Sequence, residues 1–305
     1  MVPSPMLQNA LYATRWVRLE ATHETLADLH CEEFPGASWR SVLGRNLSDI
    51  DGAAFHALFD PAASARPEPG WCLAPPADFG GWVPRGGRLQ CAITLFGATA
   101  AHLGACLRAL HAFERNGIGP DDRRSPLRLV GAQLRTPSGV FAPDSSAHVV
   151  NGLEVFDAAC LEAVAPPGAL QVDFVSPARF KKDSAPLREL PPLELLVRRS
   201  MGRLFALAPA GLSEGVMAPG EKLAWLDAVR SSLVLNQLSA DATTPGHYSR
   251  RQRRTYPLEG FKGSIVYSAP ATIALPWLRL AEWVQIGGKT HFGFGVVAVH
   301  PLDDG

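Results

Sequence analysis

The segment IGGKTHFGFG, at residues 286–295, combines residue types that could bind a phosphate group. Its four glycines would let the backbone approach a ligand closely and turn several N–H groups toward an anion. The step Gly288-Lys289-Thr290 imitates the end of a nucleotide-binding P-loop. That motif, however, needs a glycine at position 283, which is Trp283, and a following helix, whereas the chain continues with a valine-rich stretch at 296–299. The pattern therefore excludes a P-loop.

Basic residues cluster in two places, although Lys plus Arg and Asp plus Glu are equal at 29 each. Because the net charge is zero, the protein as a whole has no field that would attract nucleic acid. Between Arg179 and Arg203, seven basic residues stand against three acidic ones, a pattern that also fits a solvated surface. Between Arg250 and Arg254, four of five residues are arginine, and His247 and Tyr248 come just before. Guanidinium groups beside an aromatic ring and an imidazole suit the phosphates and unpaired bases of single-stranded RNA.

Composition and cysteine spacing exclude several classes of protein. The chain is 47% hydrophobic and 19% charged, and it has no run of about 18 apolar residues that could cross a bilayer. The N-terminal sequence lacks the features of a signal peptide, so we expect a cytoplasmic protein without a membrane partner. The five cysteines are scattered without a C-x-x-C pair, and Glu259 is the single acid between Arg250 and Trp277. We therefore expect no metal site, no cofactor and reduced, buried thiols.

The N-terminal half has the element order of a β-α-β-β-α-β fold. At 305 residues the chain is about twice the roughly 150 residues of one domain, which predicts two domains, 1–150 and 151–305. Periodicity and turn residues predict a strand at 7–21, a helix after Pro35-Gly36 with Ser38 as its N-cap, and a loop at 60–87. A strand at 90–96, a helix at 98–116 and a strand at 128–134 follow. This order is typical of a ferredoxin-like domain.

The C-terminal half repeats this outline. We predict strands at 169–175, 263–267 and 296–300, and helices at 192–207 and 221–238. Pro276 is expected to open a further short helix, in which Trp277, Leu280, Ala281 and Val284 share one apolar face. The expected fold class is therefore α+β, with two tandem ferredoxin-like (RRM-like) domains.

Several segments, in the same order along the chain, carry a resemblance to a known family. The tracts HYSRRQRR, LEGFKGSIVY and LPWLRLAEWVQIGGKTHFGFG resemble the C-terminal domain of the CRISPR repeat-processing RAMP endoribonucleases. Upstream, VDFVSPARFKK at 172–182 is similar to a strand and turn of that family. In the N-terminal half, FPGASWRSVLGRNL resembles the family's G-x-x-x-R-x-x-x-G helix start, with Gly36, Arg40 and Gly44 in the matching positions. The segment LFGATAAHLGACLRALHAFERNGIG resembles a later helix of the same family.

The resemblance implies two tandem RAMP domains, a glycine-rich loop that grips RNA, and cleavage at the base of a CRISPR repeat hairpin in precursor crRNA. The implied partners are the repeat RNA or crRNA hairpin and other subunits of a CRISPR ribonucleoprotein complex. The implied reaction needs no metal ion, because the ribose 2′-hydroxyl attacks the neighbouring phosphorus and the 5′-oxygen leaves. Two alternatives stay open: a RAMP subunit that holds the hairpin without cutting it, and an unrelated α/β enzyme that binds a nucleotide with the glycine-rich segment.

Candidate site residues follow from these patterns and from the resemblance. Histidine suits proton transfer near pH 7, and arginine suits the charge that develops on the phosphorane. Members of the resembled family often carry their histidine near the first helix, which makes His30 and His56 catalytic candidates. Arg40 in the helix start and His291 in the glycine-rich segment are the other two candidates, with His247 or the arginines alone as alternatives. The expected RNA-binding residues are Arg45, Arg179, Lys181, Lys182, His247, Tyr248, Arg250, Arg251, Arg253, Arg254, Gly287, Gly288, Lys289, Thr290, Phe292, Gly293 and Gly295.

Overall fold

A computed structural model of the chain describes residues 3–30, 34–60, 69–77, 81–119, 123–143, 148–162, 168–182, 185–187, 190–209, 212, 217–237, 241–243, 246–249, 254–257, 260–268 and 271–302. Within these residues, no helix is long and apolar enough to cross a membrane. The chain forms two compact units, each assembled from separate segments. The N-terminal unit contains Trp16–Val149 and His291–Gly293, and the C-terminal unit contains Met1–Arg15, Val150–Thr290 and Phe294–Gly305.

The N-terminal unit follows helix α1 (Pro5–Ala13), which belongs to the other unit. Its elements are β1 (Arg15–Thr25), β2 (Leu29–His30), α2 (Gly36–Ile50), α3 (Gly52–Phe59), β3 (Trp71–Ala74), β4 (Trp82–Val83), β5 (Arg88–Phe96), α4 (Leu103–His111), α5 (Phe113–Asn116), β6 (Leu127–Thr136) and β7 (Gly139–Phe141). The main sheet has the antiparallel strand order β3-β5-β1-β6-β7. When β1, β3, β5 and β6 are counted as strands 1 to 4, this is the 2-3-1-4 order of a ferredoxin-like sheet.

The C-terminal unit repeats that topology. Its further elements are β8 (Val150–Asn151), α6 (Gly152–Glu162), β9 (Ala169–Ala178), β10 (Lys181–Lys182), β11 (Ala185–Pro186), α7 (Leu193–Leu207), α8 (Pro219–Arg230), β12 (Val234–Gln237), β13 (Asp241–Thr243), β14 (Gly246–Ser249), β15 (Arg254–Pro257), β16 (Gly260–Ser268), α9 (Ala271–Val284) and β17 (Val297–Leu302). The antiparallel order β12-β16-β9-β17 is again 2-3-1-4. The predicted α+β class with two tandem ferredoxin-like domains is confirmed.

One-sided burial explains why each unit folds as a sheet covered by helices. Along β1, alternate residues such as Val17, Leu19 and Ala21 are buried, while the residues between them are only half-buried. Helix α2 directs Trp39 and Leu43 into the same apolar core. The period of two along the strand and the period of 3.6 along the helix therefore meet at one shared layer of side chains.

The strand predicted at 7–21 is wrong in its first half, because α1 occupies Pro5–Ala13 and β1 starts at Arg15. Ser4 caps this helix, since its side chain accepts a hydrogen bond from the N–H of Leu7 at 3.3 Å. Pro5 stands at the first helical position, where its missing N–H costs nothing. The cap and the proline, rather than the β-prone residues downstream, decide the local structure.

Four other boundaries also differ from the sequence prediction. The loop at 60–87 contains β3 and β4, and the residue before α2 is Pro35, which makes no side-chain cap, rather than Ser38. The helix at 221–238 ends at Arg230, because the following apolar residues pair as β12 with β16. Helix α9 begins at Ala271, so Pro276 lies inside it rather than at its start. At β3, β4 and β12, pairing with a neighbouring strand outweighs the local sequence signals.

His23 is a buried histidine in the core of the N-terminal unit. Its ring centroid lies 5.3 Å from that of Trp39 and 5.4 Å from that of Phe113. Its Nε2 lies 3.2 Å from the carbonyl oxygen of Leu110, to which the neutral ring donates. Burial in this apolar site lowers the pKa of His23 from 6.5 to about 4.

The stability of the protein should therefore fall in acid. The folded-state pKa of His23 lies below its unfolded value, so the unfolded chain binds more protons as pH falls from 6.5 to 4. The free energy of unfolding that is present above pH 6.5 should decrease by about 3 kcal/mol across this window. His23→Gln retains a donor for Leu110 but does not titrate, so denaturant titrations at several pH values should show a flatter profile. His30→Gln is the control, and identical profiles for wild type and His23→Gln would contradict this account.

Candidate nucleic-acid interface

The glycine-rich loop, residues 287–295, begins with two glycines beside the end of β9. The N–H of Gly288 donates to the carbonyl oxygen of Arg179 at 3.0 Å. Gly287 has a φ of 82°, and a Cβ there would lie 2.5 Å from the same oxygen. Glycine is therefore required at 287 for both backbone conformation and space. At Gly288, by contrast, an added Cβ would meet no described atom within 4 Å.

The loop closes on itself at Gly295. Ile286 N–H donates to the carbonyl oxygen of Gly295 at 3.0 Å, and Gly295 N–H donates to the carbonyl oxygen of Pro177 at 2.9 Å. Gly295 has a φ of 78°, and a Cβ at this position would overlap the carbonyl oxygen of Ile286. The two ends of the loop are thus joined backbone to backbone and anchored to β9.

Arg203 orders the loop from inside the C-terminal unit. Its Nε donates to the carbonyl oxygen of Val284 at 3.2 Å, and its guanidinium donates to Oγ1 of Thr290 at 3.0 Å. Arg203 and Thr290 are 5% and 1% exposed. In the sequence, Arg203 belongs to a cluster that resembles a charged surface, but a buried guanidinium needs acceptors, and here they are the residues before and within the loop.

The tip of the loop, residues 291–293, packs on α2 in the N-terminal unit. The guanidinium carbon of Arg40 lies 4.5 Å from the ring centroid of Phe292 and 4.8 Å from that of Phe59. A Cβ at Gly36 would overlap the carbonyl oxygen of Phe292, and a Cβ at Gly44 would lie 2.7 Å from the ring of Phe59. The G-x-x-x-R-x-x-x-G spacing therefore places three contacts on one face of the helix, about one turn apart.

His291 completes a closed ring of planar side chains. Its imidazole lies 4.7 Å from the ring of Phe292 and 6.4 Å from that of Trp71, and Trp71 lies 4.9 Å from Phe59. We call Arg40, Phe59, Trp71, His291 and Phe292 the planar ring. Burial lowers the pKa of Arg40 to about 10, so its guanidinium remains a cation at neutral pH. Phe59 and Trp71 were not predicted from the sequence. Trp71 lies in the Pro-rich segment predicted to be a loop, and the only sequence feature that relates to Phe59 is Gly44, the glycine against which its ring packs.

The other two histidine candidates lie outside the glycine-rich loop, on β2 and α3. His30 is exposed on β2, where it pairs with Trp82 of β4. His56 is exposed on α3, with its Nδ1 3.7 Å from Oδ2 of Asp60. Of the four predicted catalytic residues, Arg40 and His291 are therefore the two that share a contact partner, Phe292. Within the described ranges, no group of three or more His, Cys, Asp or Glu residues is placed to hold a metal ion.

A basic patch lies at the base of the loop in the C-terminal unit. Arg199 of α7 donates to the carbonyl oxygen of Lys181 at 2.7 Å, and burial, followed by the charge of Arg198, lowers the pKa of Arg199. Lys289 is exposed in the loop, with a positive φ of 68°. For Arg179, Lys181 and Arg199, no carboxylate of the described residues lies within ion-pair distance. Arg179, Lys181 and Arg199 could therefore form ion pairs with an added anion.

The remaining predicted contacts are placed only in part. Arg45 is half-buried on α2, and Gly293 has a φ of 89°, where a Cβ would lie 2.5 Å from Cδ of Pro75. Strands β14 and β15 pair Tyr248 with Thr255, and the backbone of three expected RNA-binding residues, His247, Tyr248 and Arg254, belongs to these strands. The residues outside the described part of the chain are Arg250, Arg251 and Arg253, together with the side chains of Lys182, His247, Tyr248 and Arg254.

Two glycines of the loop should respond differently to alanine. Gly295→Ala combines a left-handed backbone with an overlap at Ile286, so we expect it to lower the free energy of unfolding by at least about 2 kcal/mol. Gly288→Ala has open space and should change it by no more than about 0.5 kcal/mol. Denaturant unfolding measures both. Equal losses in the two variants would show that the loop is not closed in this way.

Comparisons with known proteins give the same fold. Residues 172–297 match the family model described as CRISPR-associated endoribonuclease Cas6. No curated protein sequence matches the chain. A structure of Thermus thermophilus Cas6 is 16% identical, covers 94% of this chain and 99% of its own, and has a TM-score of 0.59.

Two further solved structures agree. A Cas6 product complex is 18% identical, covers 95% of this chain and 100% of its own, and has a TM-score of 0.56. A partial Cas6-RT-Cas1–Cas2 complex is 12% identical, covers 94% of this chain and 46% of its own, and has a TM-score of 0.66. The resemblance to the CRISPR repeat-processing RAMP proteins is thereby confirmed, since residues 172–297 match the Cas6 family in sequence and nearly the whole chain has the fold of Cas6 proteins.

Proposed function

We propose that this protein is an endoribonuclease that binds the hairpin of a CRISPR repeat in precursor crRNA and cuts it to give mature guide RNA. The observation that carries the proposal is the match of residues 172–297 to the Cas6 endoribonuclease family, because this segment contains the glycine-rich loop together with Pro177 and Arg179, the residues that anchor it. We propose that the two RAMP domains divide near residue 150, as 1–150 and 151–305, with Met1–Arg15 grouped with the C-terminal unit and His291–Gly293 with the N-terminal unit. The partner is the repeat RNA, and the site of action is the cytoplasm.

The basic patch and the loop support binding of RNA through its phosphates. Arg179, Lys181 and Arg199 supply cations without carboxylate partners among the described residues, and Lys289 extends them into the loop. Such cations give affinity for any nucleic-acid backbone and do not by themselves select a sequence. Selection of a hairpin would then depend on groups that contact the stem and its flanking unpaired bases. The arginine-rich hairpin at 247–254 has the residue types for that contact.

The proposed reaction uses the RNA as its own nucleophile. The 2′-hydroxyl gives up its proton and forms an O2′–P bond, while the P–O5′ bond breaks and O5′ gains a proton. The products are a 2′,3′-cyclic phosphate upstream and a 5′-hydroxyl downstream. Proton transfer of this kind is within the range of an imidazole at neutral pH, and nearby cations stabilise the charge of the phosphorane.

We assign proton transfer to His291. It is the candidate histidine that lies within the glycine-rich loop. Its ring packs against Phe292, and the guanidinium of Arg40 contacts the same phenylalanine ring. His56 is instead exposed beside Asp60, and His30 is exposed on β2. His56 also has a ring contact, with Phe55 at 5.7 Å, but its side chain is exposed, whereas His291 is half-buried. A more enclosed imidazole presents its nitrogen to a substrate in a more fixed position.

The three histidines can be separated by substitution. His291→Ala should lower the single-turnover rate of repeat cleavage by roughly 10²- to 10⁴-fold, the usual range for loss of a general acid or base. His56→Ala should cost less than about threefold, because its imidazole is exposed and paired with Asp60. Retained hairpin binding, measured by gel shift, controls for folding. A larger loss in His30→Ala or His56→Ala than in His291→Ala would overturn the assignment.

The proposed function itself is tested with one labelled repeat RNA. Cleavage should proceed fully in EDTA and leave a 5′-hydroxyl on the downstream fragment. A single 2′-deoxy substitution just upstream of the scissile phosphate should abolish cutting but leave binding nearly intact, since phosphate contacts dominate the affinity. A strict need for magnesium, or undiminished cutting of the deoxy substrate, would contradict the mechanism.

A second candidate function is hairpin binding without cleavage, as a subunit of a larger complex. The match to a Cas6-RT-Cas1–Cas2 complex, in which the Cas6-like part is less than half of the matched chain, favours assembly with other proteins. The EDTA experiment separates the two candidates. Tight binding of the hairpin with no cleavage under any metal condition would select the binding subunit.

A further inference from the structure

Arg40 is enclosed by rings in a way that leaves its guanidinium little freedom. Phe292 lies 4.5 Å from its guanidinium carbon and Phe59 lies 4.8 Å from it. Both phenylalanines are members of the planar ring defined above. Phe292 comes from the loop tip, and Phe59 is the last residue of α3. A planar guanidinium can stack on two rings at once, which a lysine ammonium cannot reproduce because it is a compact, strongly hydrated charge.

The backbone of α2 reinforces the same contact on both sides of Arg40. Gly36, four residues before it, is where a Cβ would overlap the carbonyl oxygen of Phe292. Gly44, four residues after it, leaves room for the ring of Phe59 at 2.7 Å from a hypothetical Cβ. The helix therefore receives the backbone of Phe292 at one end of this interval and the ring of Phe59 at the other, and the arginine side chain contacts both residues. This arrangement fixes where the loop tip can sit.

His291 stands in sequence between two residues that arginines hold. Thr290, before it, accepts a hydrogen bond from Arg203 at 3.0 Å, and Phe292, after it, is covered by Arg40. A residue whose two neighbours are both fixed has little remaining backbone freedom. The position of the imidazole thus depends on each arginine separately.

We infer that Arg40 is a positioning residue, whose guanidinium, stacked between Phe59 and Phe292, holds the tip of the glycine-rich loop so that His291 meets the scissile phosphate; this role rests on the proposed function. Arg40 acts through ring contacts and does not touch the substrate. Its Nε has no hydrogen-bond partner among the described residues, in agreement with a side chain held by its faces rather than by its edges. Shape, and not charge alone, is what position 40 supplies.

The experiment compares Arg40→Lys with Arg108→Lys. Arg108 is an exposed arginine of α4 that lies 3.4 Å from Asp51, and a lysine there can keep this ion pair. Two readouts are measured on each purified protein. The first is the rate of tryptic cleavage after Lys289 in the absence of RNA, detected by mass spectrometry as a new N-terminus at Thr290. The second is single-turnover cleavage of repeat RNA, with the Kd for that RNA measured separately.

We expect Arg40→Lys to raise the tryptic rate roughly tenfold and to lower the cleavage rate by roughly tenfold or more, while the Kd changes by less than about threefold. Arg108→Lys should match wild type in both readouts. Phe292→Leu should reproduce Arg40→Lys, and the double variant should show much less than the product of the two effects, because both remove one contact. If Arg40→Lys is unstable, Phe292→Leu with its thermal midpoint supplies the same test.

Three outcomes separate the possibilities. Full protection and full activity in Arg40→Lys would show that charge is sufficient, and the positioning role would be overturned. A loss of hairpin affinity equal to the loss of rate would make Arg40 an RNA-binding residue, which also overturns it. If wild type binds but does not cut the RNA, the proposed function fails, and the tryptic readout still decides whether Arg40 holds the loop tip.

Discussion

The close approach of backbone to backbone at the glycine-rich loop is the constraint on which the site depends. Gly295 lies so near the carbonyl oxygen of Ile286 that no side chain fits, and at Gly287 a Cβ would lie 2.5 Å from the carbonyl oxygen of Arg179, just after β9. These contacts close the loop with hydrogen bonds that an L-residue at either glycine would break. Because the loop ends are fixed, the tip can present His291 and Phe292 at defined positions.

Two arginines with different surroundings hold this loop. Arg203 is buried and satisfies its donors with a carbonyl oxygen and the hydroxyl of Thr290, which offsets the cost of removing a charge from water. Arg40 is half-buried and is covered on its faces by aromatic rings. The first arginine depends on hydrogen-bond direction and the second on planarity. A solvent-exposed cation could fulfil neither of these two roles.

The two units share one topology, yet their charged groups are used differently. On the half-buried face of β1, Arg18 and Arg135 both lie 3.7 Å from Glu20, and Gln133 donates to Glu20 at 3.0 Å. The single carboxylate of Glu20 thus offsets part of the positive charge of these two arginines within the sheet. In the C-terminal unit, by contrast, Arg179, Lys181 and Arg199 lie beside the loop and have no carboxylate partner among the described residues.

The fold class, the order of most elements and the importance of the glycine-rich segment could be predicted from the sequence. These features depend on the local sequence: apolar residues alternate with polar ones along a strand such as β9, and they recur about every 3.6 residues along α2. The resemblance added Gly36, Arg40 and Gly44 as a set. Helix α1 was missed because a cap and a proline outweighed the β-prone residues that follow.

Which candidate residues contact one another depends on tertiary packing and could not be predicted from the sequence. The chain separates Arg40 from Phe292 by about 250 positions, and no local pattern shows that one ring and one guanidinium will stack. The same holds for Arg203, whose burial turns an apparent surface cation into an internal donor for Thr290. Local propensity acts over a few residues, whereas these contacts exist only because two packed layers bring distant segments to within van der Waals distance.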